Sequence, residues 1–262
     1  MGRPYTGWDG DAKGKRAGTE KFVQLICFLS GNKLWNNGTW TVRPMNNPNA
    51  KARPSVHGTG RAVDLSWRFQ RERGRGGSYA DAQRMMDFLV QHADLFRIEE
   101  IHDYYPGPFG RGWRCDRESW KVYDRQTIGS APGGDWIHVE ISPDFADDPG
   151  YYDNVVKQLF SGTASAPAPK PAPAPAKVEA PKPAPAPKPA EPAPVLRFDY
   201  PGKPVKARSK GAGVELVQAF LKIPVTGTAD RSTVQAIKAY QSMSGLKADG
   251  IVGPVTWKSM FG

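Results

Sequence analysis

Residues 161–195 read SGTASAPAPKPAPAPAKVEAPKPAPAPKPAEPAPV, and this stretch sets the domain organisation of the chain. It holds 12 prolines between Pro167 and Pro194. Alternating proline and alanine lack the amide donors and the apolar bulk of a packed core, and they favour extended polyproline II. A proline-rich ligand for a recognition domain is the alternative, but scattered lysines are more typical of a spacer. The chain therefore divides into a domain (1–160), a Pro/Ala/Lys-rich linker (161–200) and a small domain (201–262).

The charge of the chain points to an anionic partner. Among the 262 residues, 36 are Lys or Arg and 26 are Asp or Glu, which gives a formal net charge of +10. Nucleic acid, a membrane surface or a wall polymer would each suit this excess. Residues 1–160 carry a net +2 and residues 201–262 a net +6, so the charge lies mostly in the small domain. Without a recognised nucleic-acid motif, we expect no nucleic-acid partner.

The sequence shows the pattern of neither a membrane-spanning helix nor a secretory signal peptide. No apolar run approaches the roughly 18 residues that a membrane-spanning helix needs, so we expect no membrane insertion. The first 20 residues contain no apolar core, so we expect no secretory signal peptide.

The large domain mixes helical and strand patterns. Residues 21–31 and 78–96 place apolar side chains at helical spacing, and Ser78 is a candidate N-cap for the second helix. Strand-like runs occur at 39–42, 61–67, 97–105 and 136–142. Helices and strands interspersed with long loops predict an α+β fold with an antiparallel sheet.

Two of these strands combine an apolar face with a face that carries ionisable side chains. Because side chains alternate along a strand, Asp64 and His138 each lie opposite the apolar residues of their own strand. His57 lies just upstream, in a glycine-bearing turn that can fold it over Asp64. Two imidazoles and one carboxylate suit a catalytic zinc ion whose fourth position is left to water. His92, on the flank of an apolar helical stripe, favours a structural role, and spacing does not select His102 as a ligand.

The motif SVHGTGRAVDL at 55–65 resembles the Ser-x-His-x-x-Gly-x-Ala-x-Asp motif of the D-Ala-D-Ala carboxypeptidase family of zinc peptidases. That family includes the vancomycin-resistance carboxypeptidases and many phage endolysins. The matching positions are Ser55, His57, Gly60, Ala62 and Asp64. The family's second motif, Glu-x-x-His, is similar to residues 135–138, with an aspartate in place of the glutamate. The resemblance implies one zinc ion held by His57, Asp64 and His138.

The resemblance also implies roles for neighbouring residues. Asp135 takes the general-base position with a side chain one methylene shorter; Glu140, on the face of His138, is either the rival base or a carboxylate that orients the imidazole. Arg43 is the candidate for the family's oxyanion-stabilising arginine, with Arg53 as the alternative. Ser55 is implied to help hold the substrate, although a turn hydroxyl is its alternative role.

The small domain contains a short internal repeat, the 23-residue echo. Gly227 to Thr233 and Gly250 to Thr256 place glycine and threonine at the same separation, 23 residues apart. The segments VELVQAFL, TGTADRSTVQAIKAYQ and SGLKADGIVGPVTW resemble the peptidoglycan-binding domain that is built as a three-helix bundle. The resemblance implies bacterial peptidoglycan as the partner. Trp257 is a candidate for stacking on the ligand, and a core position is its alternative.

Together the two resemblances predict a phage endolysin that hydrolyses an amide bond of the peptidoglycan stem peptide or cross-link, either L-Ala-D-Glu or D-Ala-diamino acid. We expect a monomer that stays in the host cytoplasm until it is released to the cell wall. One alternative is a bacterial D,D-carboxypeptidase of wall remodelling or recycling. The other is a catalytically inactive wall-binding protein, which the aspartate at position 135 keeps open.

Overall fold

The structure, a computed structural model, describes residues 2–45, 53–69, 76–161 and 198–262. Most of the predicted linker, residues 162–197, lies outside the described residues. Within the described residues the strands are β1 (Trp35–Gly38), β2 (Ala62–Ser66), β3 (Ile98–Asp103), β4 (Arg111–Arg114), β5 (Ser119–Val122) and β6 (Trp136–Ile141). They form one six-stranded sheet in the order β1-β2-β6-β3-β4-β5, and every pairing is antiparallel. The expected α+β fold with an antiparallel sheet is confirmed.

The helices of the large domain cover the apolar face of this sheet. They are α1 (Ala17–Leu29), α2 (Tyr79–Gln91), α3 (Ala93–Phe96) and α4 (Pro149–Ser161). Phe22 and Ile26 of α1 share one buried cluster with Val63 of β2 and Val139 of β6. Burial of this continuous apolar surface stabilises the layer of helices on the sheet. No described helix is long and apolar enough to cross a membrane.

The helix predicted at 78–96 is two helices. Ser78 caps α2 as expected: its hydroxyl accepts a hydrogen bond from the Asp81 amide, and the Asp81 carboxylate accepts one from the Ser78 amide. The chain leaves the helical conformation at His92 (φ −110°, ψ 26°) and then forms the single turn of α3. Arg97 ends that turn in the left-handed conformation and leads directly into β3. Apolar periodicity predicted the buried face and missed the break.

The strand predicted at 39–42 is wrong. The edge strand is β1, whose Trp35 lies opposite Ser66 of β2. Residues 39–42 follow it and lie beside the turn that carries His57, where the Thr41 amide lies 3.4 Å from the His57 carbonyl. Within the described residues, this β-branched run pairs with no strand. The hairpin of β4 and β5 was not predicted, since its four-residue strands carry too little alternation to be recognised alone.

Three helices form the small domain, as predicted: α5 (Ala212–Phe220), α6 (Arg231–Met243) and α7 (Pro254–Phe261). The 23-residue echo is visible in its hydrogen bonds. Gln218 and Gln241 each donate from Nε2 to a carbonyl and to the hydroxyl of a buried threonine, namely Thr233 at 2.9 Å and Thr256 at 3.1 Å. Each also accepts at Oε1 from the amide of the echoed glycine, Gly227 at 3.0 Å and Gly250 at 2.8 Å.

The small domain packs directly against the large one. Lys21 of α1 lies 2.6 Å from a Glu215 carboxylate oxygen of α5. The ring of Phe28 meets that of Trp257 edge-on, with centroids 5.4 Å apart. Both domains contribute to a single buried apolar cluster. The two domains therefore share a core, in addition to their covalent connection.

Candidate metal centre

The candidate site lies on the face of the sheet opposite the helices, where three strands bring polar side chains into one row. In the register of the sheet, Asp64 of β2 lies opposite His138 of β6, and His138 lies opposite His102 of β3. One row further along, Glu140 lies opposite Glu100. Alternation along each strand directs these side chains to the same face, while their neighbours fill the core.

His57 reaches this row from a turn outside the sheet. Residues Val56–Thr59 form a single 3-10 turn, which Ser55 caps by accepting a hydrogen bond from the His57 amide. Gly60 ends the turn with φ +71°, a left-handed conformation that a side chain would disfavour. The turn thus delivers His57 immediately before β2 begins, over Asp64.

The three predicted metal ligands come together. Candidate ligand atoms of His57, Asp64 and His138 all lie within 4.8 Å of one another. Asp64 Oδ1 is 3.3 Å from His57 Nε2 and 3.0 Å from His138 Nδ1. His57 Nε2 is buried and has no hydrogen-bond partner in the described residues. A buried nitrogen lone pair beside a second imidazole and a carboxylate fits a divalent metal, and this donor set is typical of zinc.

Electrostatics couple these groups strongly. Burial opposes the charge on Asp64, yet the hydrogen bond to His138 and the nearby His57 imidazole hold the pKa of that carboxyl well below its usual range. Burial opposes the charge on His138 as well, but hydrogen bonds to Asp64 and Glu140 raise its pKa to about 10. Asp64 is thus an anion at neutral pH, which suits the one charged ligand of the set.

An outer layer of side chains surrounds His138. Its Nε2 lies 2.9 Å from Glu140 Oε1, so Glu140 is placed to orient the imidazole. Tyr5 Oη lies 3.0 Å from both Glu140 Oε2 and Glu100 Oε2. Burial and the nearby Glu140 carboxylate raise the pKa of Glu100 to about 8. His102 stacks on His138 with ring centroids 5.5 Å apart.

The ligands line a cavity of about 730 Å³ with a strongly basic wall. Its cations are Arg43, Arg53, Arg114, Arg117 and Lys121, and its Tyr and Trp residues are Tyr5, Trp8, Tyr104, Tyr123 and Trp136. Its carboxylates are Asp64, Glu100 and Glu140, all three hydrogen-bonded. Cations in excess of carboxylates attract an anionic ligand, and aromatic rings add contact area.

Asp135 does not line this cavity. It directly precedes β6, and its Oδ2 lies 3.7 Å from Arg68 Nη1. Its Oδ1 is buried without a hydrogen-bond partner in the described residues. The sequence prediction of Asp135 as general base thus stays a prediction, and its carboxylate has to turn away from Arg68 to act on a ligand in the cavity.

The other predicted residues are placed as follows. Arg43 and Arg53 both line the cavity, and the Ser55 amide donates to the Arg43 carbonyl at 3.0 Å, which joins Arg43 to the first motif. The Ser55 hydroxyl caps the turn of His57, which favours its role as a turn hydroxyl. Trp257 is 1% exposed and its indole donates to the Phe198 carbonyl at 2.8 Å, so Trp257 belongs to the core and is not a ligand-stacking residue.

Sequence reasoning missed Tyr5 and Glu100. Glu100 had a usable signal, because it is two residues from His102 in a strand and therefore shares its face. Tyr5 had none, since it meets Glu140 across 135 positions of the chain.

Comparison with known protein families identifies one segment. The family model described as a putative peptidoglycan binding domain matches residues 211–260. That range covers α5, α6 and all of α7 except its last residue, and it supports peptidoglycan as a partner of this chain. Comparisons with curated proteins and with solved structures find no match.

Proposed function

We propose that this protein is a zinc-dependent peptidase of the phage endolysin type, which hydrolyses an amide bond in peptidoglycan stem peptides or cross-links. The observation that carries the proposal is the group His57, Asp64 and His138 in the wall of a basic cavity. The peptidoglycan-binding domain at residues 211–260 supports a substrate in the cell wall. Holding a catalytic site at its polymer raises the local substrate concentration.

The ligand set defines what the metal contributes. His57, Asp64 and His138 would hold one zinc ion, with Asp64 as the anionic ligand. When bound, zinc supplies a Lewis acid that polarises a carbonyl group and makes water a stronger acid. Glu140 keeps the His138 ring in orientation through its hydrogen bond to Nε2.

The remaining residues bind the peptide and move the proton. Asp135 is the proposed base: its carboxylate accepts a proton from the attacking water and returns it to the leaving amine. Arg43, in the cavity wall, offers a positive charge to the carbonyl oxygen as negative charge develops there. Three other basic residues of the cavity lining suit the carboxylates of wall stem peptides: Arg114, Arg117 and Lys121. The L-Ala-D-Glu bond and the D-Ala-diamino acid cross-link are both candidates for the bond that is cut.

The proposal is tested by digesting purified peptidoglycan and analysing the fragments by mass spectrometry, with zinc measured in the same preparation. We expect one zinc per chain and fragments with a new amine terminus. His138→Ala is expected to lower the rate by roughly 10³-fold, because it removes a ligand of the catalytic group. His92→Ala is the matched control, a histidine outside the site, and should leave the rate unchanged.

Each other outcome identifies a different function. Release of only the terminal D-alanine indicates a D,D-carboxypeptidase of wall remodelling or recycling. Peptidoglycan binding with no zinc and no new termini indicates a catalytically inactive wall-binding protein and overturns the proposal.

A further inference from the structure

The orientation of His138 depends on which of its ring nitrogens carries the proton. Its Nδ1 lies 3.0 Å from Asp64 Oδ1, and its Nε2 lies 2.9 Å from Glu140 Oε1. A metal binds only the neutral ring, so the proton that Asp64 and Glu140 hold on His138 in the metal-free protein has to leave on binding; the neutral imidazole has one N–H, and only its other nitrogen has a lone pair for a metal. Since Nδ1 lies with the ligand atoms of the candidate centre, the proton belongs on Nε2, donated to Glu140.

One carboxylate oxygen of Glu140 forms the hydrogen bond to His138, and the other forms a hydrogen bond to Tyr5. Glu140 Oε2 lies 3.0 Å from Tyr5 Oη, while Oε1 faces His138. A carboxylate bonded at a single oxygen can still rotate about its last side-chain torsion, whereas bonds at both oxygens fix its plane. Tyr5 therefore holds the Glu140 carboxylate in one plane, and Glu140 in turn holds the orientation of the His138 ring.

Tyr5 itself is held by an anchored N-terminal segment. Arg3 donates from Nε to Asp94 Oδ1 at 2.7 Å and from Nη2 to the Ala93 carbonyl at 3.1 Å. Thr6 donates from Oγ1 to Glu99 Oε1 at 2.7 Å. The guanidinium of Arg114 lies over the Tyr5 ring, 4.7 Å from its centroid. These contacts restrain the segment on both sides of Tyr5 and leave its hydroxyl directed at the two glutamates.

We propose that Tyr5 is a positioning residue of the metal centre, which acts through Glu140 to hold His138 in the orientation that presents Nδ1. This inference rests on the proposed function, since it requires that His57, Asp64 and His138 bind zinc. It assigns a role to the N-terminal segment that no motif of the sequence indicates. Tyr5 needs no contact with the metal or with the substrate for this role.

The test is the zinc affinity of the full chain, measured in competition with a chromophoric chelator. Tyr5→Phe keeps the ring and removes the hydroxyl, and we expect zinc affinity to fall about 10-fold, as when other outer partners of metal ligands are removed. Glu140→Gln should weaken zinc binding by about 10- to 100-fold. The double variant Tyr5→Phe/Glu140→Gln should bind no more weakly than Glu140→Gln alone, because Tyr5 acts through Glu140.

Tyr151→Phe is the matched control. It removes a tyrosine hydroxyl that donates to the Leu95 carbonyl at 2.8 Å, outside the site. It should lower the thermal unfolding temperature of the metal-free chain about as much as Tyr5→Phe does and leave zinc affinity unchanged. Wild-type zinc affinity in Tyr5→Phe, or additive losses in the double variant, would overturn the positioning role while the proposed function stands.

A chain that binds no zinc would overturn both proposals, and an unaltered affinity in His57→Ala would show that zinc binds elsewhere. If Tyr5→Phe does not fold, Arg3→Ala loosens the same segment from the surface. Wild-type zinc affinity in that variant would then overturn the inference.

Discussion

Two carboxylates flank His138 in sequence and differ in their surroundings. Glu140 is 3% exposed and hydrogen-bonded to both His138 and Tyr5, so its place is that of an orienting group. Asp135 has one oxygen near Arg68 and one without a hydrogen-bond partner among the described residues, so less holds its carboxylate in place. Asp135 stays the proposed base, as the motif implies, and its carboxylate has to turn away from Arg68 to reach a ligand in a cavity that it does not line.

We predict that Asp135→Asn lowers kcat by about 10²- to 10⁴-fold, because general-base assistance is lost, while zinc stays bound. Glu140→Gln should instead lower zinc affinity and recover activity when zinc is added in excess. Turnover of a peptidoglycan fragment and the zinc content of each variant check this prediction. Near-normal turnover in Asp135→Ala, with zinc-loaded Glu140→Gln inactive, would exchange the two roles.

At the residue scale, the sequence predicted the side chains placed by strand alternation or by the glycine-bearing turn before β2, and it left out Tyr5, which arrives from a distant segment. Asp64 and His138 were predicted from the faces of their strands, and the structure brings both together with His57. Trp257 shows the limit of this reasoning, because a tryptophan near a chain end looks the same in sequence whether it is buried or exposed. Only the contact with Phe198 decides that it belongs to the core.

At the scale of secondary-structure elements, the echo of the small domain has a physical basis in two buried glutamines. Gln218 and Gln241, each about 1% exposed, satisfy a turn amide, a carbonyl and a threonine hydroxyl. Each therefore joins its helix to the turn and the helix start that follow it. The threonine near the start of each echoed helix is conserved within the chain's own repeat because it is an acceptor for this amide.

We predict that Gln241→Ala destabilises the small domain by about 2 to 4 kcal/mol, because the buried Gly250 amide and Thr256 hydroxyl lose their partner. Gln235→Ala is the control, an exposed position in the same helix, and should change stability by less than about 0.5 kcal/mol. Amide hydrogen exchange at Gly250, measured by NMR, reports the loss directly. Equal protection in both variants would show that the glutamine bonds contribute little.

Elements with strong local signals were predicted, and those that depend on a neighbour were not. α2 was predicted together with its capping residue Ser78, because periodicity and capping are properties of adjacent residues. The strand at 39–42 was wrong because a β-branched run forms a strand only where a partner strand is available. β4 and β5 were missed because their sequences alternate only weakly between apolar and polar residues. They form strands because β4 pairs with β3 and β5 pairs with β4.

At the scale of the whole molecule, one lysine links the two domains. Lys21 Nζ lies 2.6 Å from both carboxylate oxygens of Glu215 and 2.8 Å from Asp153 Oδ1 of the large domain. Burial opposes its charge, but these two acidic partners raise the pKa of Lys21 above its usual value. Without the lysine, two acidic side chains would face each other at a buried interface.

We predict that Lys21→Glu separates the domains, because three carboxylates would then meet at the interface, a loss of roughly 3 kcal/mol or more. Scattering should give a larger radius of gyration for Lys21→Glu than for the native chain, and calorimetry should resolve two unfolding transitions for the variant and one for the native chain. Lys13→Glu makes the same charge change at an exposed position and should leave both measurements unchanged. Two transitions in the native chain, or an unaltered radius in Lys21→Glu, would contradict a shared core.

The sequence by itself determined the α+β domain and the three-helix module, and it predicted the grouping of His57, Asp64 and His138, whose side chains the structure brings together. Strand alternation, helical periodicity, turn glycines and short motifs allow this because they depend on residues close together in the chain. Tertiary structure alone decided that Tyr5 reaches Glu140 and that Lys21 pairs with Glu215, across 135 and 194 positions. It also turned Asp135 toward Arg68 and buried Trp257. These contacts follow from how whole elements pack, and no local pattern encodes which distant side chains that packing brings together.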